Sequence, residues 1–142
     1  MEASEILIEK LKEFEGFRRD AYRDVTGVLT IGYGHTGSDV REGDRLTTYA
    51  AEELLLMDLR EHERAVRRLK VAHTQGQFDA LVSFVFNVGI GRLNRSALLK
   101  VIRNGGSKAQ ITREFKRWVF AGGQRMPGLV KRREWEAKRF FE

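Results

Sequence analysis

Two carboxylates separated by eight residues, Glu15 and Asp24, are followed after five more by a hydroxyl, Thr30. Two acids in unlike surroundings can divide the work of bond cleavage. One donates a proton while the other stays ionised and directs a nucleophile. Glu15 closes a run with apolar residues at helical spacing, so it falls in a last turn, where the helix dipole presents its negative end. A charge is poorly placed there, whereas a group that must donate a proton is well placed. A departure from local stability rules marks a candidate functional position, although a solvated helix-end glutamate accounts for the same residue. Asp24 sits beside a turn and needs no further role than forming it. Along the strand that follows, alternation puts Thr30, Gly32 and Gly34 on one face and Leu29, Ile31 and Tyr33 on the other. A face of one hydroxyl and two glycines leaves room for a ligand to approach the backbone. A glycine-weakened strand with no ligand is the alternative.

Other chemistries find little support. His35, His62 and His73 form no i, i+4 pair and no HExxH, so a zinc site is not expected. A structural hydrogen bond or salt bridge is the expected role of His35. Cysteine is absent, which excludes disulfides and thiolate metal sites. No GxSxG, P-loop or dinucleotide fingerprint is present, and Gly32-Tyr33-Gly34 lacks the third glycine and following helix. No cofactor is implied.

The elements that must position these residues can be read from periodicity and punctuation. Ser4 caps a helix whose apolar stripe is Ile6, Leu7, Leu11 and Phe14, and Gly16 ends it. Residues 17–38 read as a β-hairpin turning near Thr26-Gly27, with looser structure after Gly34. Thr47 or Thr48 caps a long helix over 49–70, with Glu52 and Glu53 early and Arg67, Arg68 and Lys70 late, as the dipole favours. Thr74 and Gln77 predict a capping box for an apolar helix reaching Val88, expected to be the buried centre of the fold. Shorter helices are expected over 95–104, stopping at Gly105-Gly106, and from Ser107, with Gln110 completing a capping box, to Gly122-Gly123. A last helix begins beside the only proline, Pro127. The sum is an α+β protein with a small N-terminal β-hairpin lobe and a larger helical lobe joined by a long helix, with a cleft between them.

A chain of 142 residues with 42% hydrophobic and 32% charged residues is expected to form one globular domain. No apolar run approaches the roughly eighteen residues of a membrane span, and the first dozen residues do not resemble a secretory signal. The net charge of +6 is unevenly spread. Residues 1–71 carry 12 Lys+Arg against 15 Asp+Glu, whereas residues 72–142 carry 14 against 5. A basic half attracts polyanions, whether nucleic acid, anionic membrane or anionic cell wall. The last helix, with Lys131, Arg132, Arg133, Lys138 and Arg139 beside Trp135, Phe140 and Phe141, could be membrane-active. Its aromatics are more economically read as core.

The spacing of Glu15, Asp24 and Thr30 becomes specific in company. Thr30-Ile31-Gly32-Tyr33-Gly34-His35-Thr36-Gly37 resembles the T-x-G-x-G-H segment of phage lysozymes, glycoside hydrolase family 24. Ser83 to Gly91 (SFVFNVGIG) is similar to that family's central-helix motif. Ser96-Ala97-Leu98-Leu99, Arg117-Trp118 with Ala121-Gly122-Gly123, and Gly128 to Arg133 (GLVKRR) continue the likeness in order from about Glu5 to Phe140. The resemblance implies a single lysozyme domain over 1–142, with the first helix and β lobe in 1–47, a connecting helix in 48–70 and a helical lobe in 71–142. It implies hydrolysis of the β-1,4 bond between N-acetylmuramic acid and N-acetylglucosamine in peptidoglycan. Glu15 would be the general acid, Asp24 the ionised partner and Thr30 its helper in holding the attacking water. Inversion is implied, with carboxyls roughly 6.5–9.5 Å apart.

By family position Phe86 and Asn87 contact sugar, and Gly32, Gly34 and Thr36 are backbone-approach or rim positions, with His35 structural. Core packing is the alternative for Phe86. The same resemblance implies a monomer without metal or cofactor, made in the cytoplasm and released through a lesion that a partner protein makes. Stable membrane insertion and a specific nucleic-acid partner are not expected. The rival readings are a basic nucleic-acid-binding helical module, which leaves the acidic N-terminal half unexplained, and a wall-binding module without catalysis.

Overall fold

The computed structural model describes residues 1–142. The first helix, α1 (Glu5–Glu15), starts where Ser4 Oγ accepts the Leu7 amide at 3.2 Å. Leu7 and Leu11, one turn apart, are fully buried and Phe14 is half-buried. Ile6 departs from the expected stripe: it is 56% exposed, because it points about a quarter-turn away from the Leu7–Leu11 row. Gly16 ends the helix in the left-handed region (φ +71°), its amide returning to Lys12 O at 2.9 Å.

The next strands are β1 (Arg18–Arg23), β2 (Leu29–Gly32) and β3 (His35–Thr36), antiparallel in the order β1-β2-β3. Their turn falls at the expected place: Asp24 N donates to Val28 O at 3.0 Å and Gly27 N to Asp24 O at 2.9 Å. The segment after Gly34 is not loose. His35 and Thr36 turn back and pair with Ile31 and Thr30. Two residues are too few to show a period, so this strand exists only through its partner.

Helix α2 (Thr48–Leu69) follows, and Thr47 is its cap, accepting the Ala50 amide at 3.0 Å. Ala51, Leu55, Leu59 and Val66 form its buried row. Helix α3 (Gln75–Val88) has a continuous buried run from Phe78 to Val85, as expected of the apolar centre. Its start is a variant of the predicted box. Thr74 Oγ1 accepts the Gln77 amide, but the Gln77 side chain reaches past Thr74 to the His73 amide at 2.8 Å.

The remaining helices are α4 (Ile90–Asn94), α5 (Ala97–Arg103), α6 (Lys108–Lys116) and α7 (Pro127–Phe140). The expected 95–104 helix is shorter, because Ser96 is its cap, accepting the Leu99 amide at 3.0 Å. The glycines around Ile90 hid α4 from the sequence. The box of Ser107 and Gln110 forms as predicted. Helix α6 ends at Lys116, short of Gly122-Gly123. Those glycines instead turn a second hairpin, β4 (Phe120–Ala121) with β5 (Gln124–Arg125), both in the left-handed region at φ +58° and +78°. Positive φ at both central residues is the preference of a two-residue hairpin turn. No helix is long and apolar enough to cross a membrane.

The contacts group the chain into two compact units, Ile8–Glu61 and Met1–Leu7 with His62–Glu142. Met1–Leu7 therefore belongs with the C-terminal residues, and buried Asp79 shows why. Its carboxylate accepts from Ser4 N at 3.1 Å, from Ser4 Oγ, from Gln75 Nε2 at 2.8 Å and from Arg139 Nη2 at 2.8 Å.

In the same unit α3 packs against α7, and α7 against α6. Phe84 meets Phe115 and Trp118 edge to face, and Phe115 meets Phe140. Phe140 is thus core, while Trp135 is half-buried. Two cations that the sequence suggested for the basic surface of α7 point inward instead. Arg132 and Arg133 are 3% and 0% exposed. Arg133 pairs with buried Glu136 at 2.7 Å, and Ser83 Oγ donates to the same carboxylate at 2.5 Å. Arg132 Nη2 reaches Ser83 O at 2.9 Å, and Arg133 Nη2 reaches Asn87 Oδ1 at 2.8 Å.

Removing one member of such a cluster leaves a desolvated charge without its partner. Glu136→Ala should lower stability by about 3–5 kcal/mol in urea unfolding. A loss below about 1 kcal/mol would show that the cluster contributes little beyond packing.

Candidate active site

Glu15 is the final residue of α1 and is half-buried. Its carboxylate lies against the backbone of Gly34: a β-carbon added there would stand 2.8 Å from Glu15 Oε1. Gly34 also adopts φ +79°, which side-chain-bearing residues rarely do. The glycine therefore serves the carboxylate twice, by letting the chain turn and by leaving the space beside it empty.

Asp24 closes β1. Its Oδ1 accepts from the Thr26 hydroxyl at 2.7 Å and from the amides of Thr26 and Val28, each at 2.9 Å. The hydroxyl first, then the Val28 amide, hold its carboxyl below the usual carboxylate range. Asp24 is thus a turn-former whose carboxyl, through the same bonds, gives up its proton more readily than an ordinary aspartate. Its second oxygen takes none of these three bonds. Thr30 is 4% exposed, and its hydroxyl donates to Val28 O at 3.0 Å. The turn that holds Asp24 therefore also holds Thr30.

The strand register places Thr30 opposite Tyr22 on one side and Thr36 on the other. Tyr22, half-buried with the Arg18 guanidinium 4.0 Å from its ring centroid, joins this row although neither its type nor its spacing singled it out. Thr36 is exposed. Gly32 is buried, and a β-carbon there would come within 3.1 Å of Ala51 Cβ. Its missing side chain lets the strand lie close to α2. Phe86 and Asn87 lie at the end of α3 in the other unit. Phe86 is half-buried with its ring 5.2 Å from that of His62, and Asn87 is exposed with its carbonyl engaged by Arg133.

His35 is tied at both ring nitrogens. Nδ1 meets Asp58 Oδ2 at 2.8 Å and Nε2 meets Asp39 Oδ2 at 3.0 Å. Asp39 reaches it across Gly37, where a β-carbon would stand 2.6 Å from Asp39 Oδ1. The sequence suggested a hydrogen bond or salt bridge for His35 without naming a partner; Asp39 lies four residues away and Asp58 23 residues away on α2. Burial lowers the affinity of His35 for its second proton, but the hydrogen bonds to Asp58 and Asp39 outweigh it, so the pKa is raised above 6.5.

That shift has a sign for stability. A histidine with a raised folded-state pKa contributes fully below its unfolded value, and the contribution disappears as pH rises through the folded one. His35→Asn should therefore cost more stability at pH 5.5 than at pH 9. Urea unfolding of both proteins at the two pH values checks this, and an equal cost at both would show that His35 holds the turn as a neutral ring.

The phage lysozyme family model matches residues 12–136. The chain is 46% identical over 144 aligned positions to an endolysin of Bacillus phage B103, covering 99% of this chain and 54% of that protein. A second endolysin, from Bacillus phage PZA, is 43% identical and covered to 55%, so the chain spans about half the length of these relatives. Among solved structures, the muramidase domain of SpmX from Asticaccaulis excentricus superposes with a TM-score of 0.88 at 36% identity, covering 99% of this chain and 98% of that one. An endolysin from Escherichia coli O157:H7 phage FAHEc1 gives 0.88 at 35% identity, over 100% and 94%. The ordered motifs, the α+β fold with a three-stranded sheet after α1, and these matches agree: the chain belongs to the phage lysozyme family.

Proposed function

We propose that this chain hydrolyses the β-1,4 bond between N-acetylmuramic acid and N-acetylglucosamine in bacterial peptidoglycan, as a monomeric endolysin unit without a cofactor. The observation that carries this reading is the unequal setting of its two acids. Glu15 ends a helix against the bare backbone of Gly34, and one oxygen of the Asp24 carboxylate is saturated by three donors of its own turn. In the reaction, Glu15 gives its proton to the glycosidic oxygen as that oxygen leaves the anomeric carbon. Water attacks the carbon from the opposite side while Asp24 takes the water's proton. Thr30, whose own proton is committed to Val28 O, accepts a hydrogen bond from that water and orients it. The product anomer is inverted. Thr36 on the sheet, and Phe86 and Asn87 on α3, supply sugar contacts in this reading, and Gly34 a backbone approach. Gly32 fits a packing role better, because it is buried against Ala51. Delivery to the wall through a lesion made by a partner protein belongs to the same proposal.

Glu15→Gln keeps the shape of the side chain and removes the proton. Folded variant should lose at least about 100-fold in lysis of outer-membrane-permeabilised Gram-negative cells, followed by turbidity. Proton NMR of the parent's first product should show the α-anomer at the new reducing end. Lysis by the variant comparable with the parent's would remove Glu15 from the mechanism, and a β-anomer would replace inversion by a double displacement.

Two glycines separate backbone strain from crowding. Gly27 and Gly34 both adopt positive φ, but only at Gly34 would a β-carbon meet Glu15. Each change to alanine should cost about 1–2 kcal/mol of stability for the left-handed conformation. Only Gly34→Ala should also abolish hydrolysis. Equal activity in the two variants would mean that Glu15 does not need the space.

A further inference from the structure

Helix α6 carries a face that the proposed hydrolysis does not use. Lys108, Thr112 and Lys116 form one row along it, and Ala109, Arg113 and Arg117 the row beside it. These six residues line an open depression of ≈ 820 Å³, with the small side chains of Ala109 and Thr112 among four cations. The only acid on the helix, Glu114, is half-buried and is paired with Arg117 at 2.9 Å. From Lys108 to Lys116 the face runs about 12 Å, at roughly 1.5 Å per residue.

We infer that this face binds a phosphodiester polymer of the bacterial cell wall, of the polyol-phosphate kind. The face offers positive charge and one hydroxyl, and it lies open to solvent. A bilayer would need apolar side chains to insert, and none of the exposed large hydrophobic residues lies on α6. Single-stranded nucleic acid would need aromatic platforms for its bases, and none of the six lining residues is aromatic. A flexible polyol-phosphate chain needs only closely spaced cations on an open face along which its backbone can lie. Such binding would keep the protein near its wall substrate between cleavage events, and it does not depend on the assignment of the catalytic acids.

The test uses the full chain and purified poly(glycerol phosphate). The variant Lys108→Gln/Arg113→Gln/Lys116→Gln is compared with Arg60→Gln/Arg64→Gln/Arg68→Gln, an equal loss of charge on exposed positions of α2. At low salt the α6 variant should bind at least about tenfold more weakly, and its log K against log salt should flatten by roughly two, while the α2 variant stays within about twofold of the parent. Both variants should hydrolyse phosphate-free peptidoglycan like the parent, so failure of this inference is distinguishable from failure of the proposed hydrolase. Polymer titration of the unmodified protein, followed by amide NMR, should shift signals from Lys108 to Arg117 whatever the variants' folding. Unchanged signals there, equal weakening in both variants, or tighter binding to phosphatidylglycerol vesicles or a DNA duplex than to the polymer would overturn it.

Discussion

The candidate site depends on one close approach, that of the Glu15 carboxylate to a backbone position with no side chain. A carboxylate at the end of a helix is free to swing into water unless something passes close beside it. Here the turn between β2 and β3 does so at Gly34, which only a residue without a β-carbon permits. The turn in its place requires an anchor, and His35, the next residue, supplies it through Asp58 and Asp39. Gly37 in turn leaves room for Asp39. The run of glycines after Thr30 is thus a set of clearances, each for a particular neighbour: α2 at Gly32, Glu15 at Gly34 and Asp39 at Gly37.

Asp24 shows how a bland role and a chemical one can share the same bonds. Three donors converge on one carboxylate oxygen to close the hairpin turn. Hydrogen bonds to the charged form stabilise it, so the turn and the ionised state come together. The other oxygen takes none of those three bonds. Val28 couples the arrangement to Thr30, because its amide binds Asp24 while its carbonyl binds the threonine hydroxyl. One short loop thereby sets two of the three candidate groups, and the end of α1 sets the third.

The excess of positive charge in residues 72–142 separates into two populations. Arg132, Arg133 and Arg139 act inside the structure, pairing with Glu136 and Asp79 and bridging α3 to α7. Desolvated charges of this kind constrain geometry more than they attract partners. The cations of α6 remain on the surface around small side chains, as do Arg92, Lys100, Lys131 and Lys138 elsewhere, and such exposed groups are the ones able to meet a polyanion. Net charge by itself does not distinguish these cases, because a guanidinium contributes +1 whether it faces water or a carboxylate.

The sequence alone determined what depends on local physics. Caps at Ser4, Thr74 and Ser107 and a choice between Thr47 and Thr48 marked four helix starts, the apolar run of α3 set the core, and the turn at Asp24 to Val28 set the hairpin. The spacing of Glu15, Asp24 and Thr30, with the glycine-rich segment after them, identified the candidate acids. Elements too short for any period, β3, β4, β5 and α4, were not legible, because their stability comes from partners rather than from propensity. Neither was the pairing of His35 with Asp58, the inward turn of Arg132 and Arg133, or the reason for each glycine. Those outcomes depend on which groups distant in the chain come within hydrogen-bond distance. That distance is a property of the packed structure, since side-chain type states what a group can bind and only the fold states what it meets.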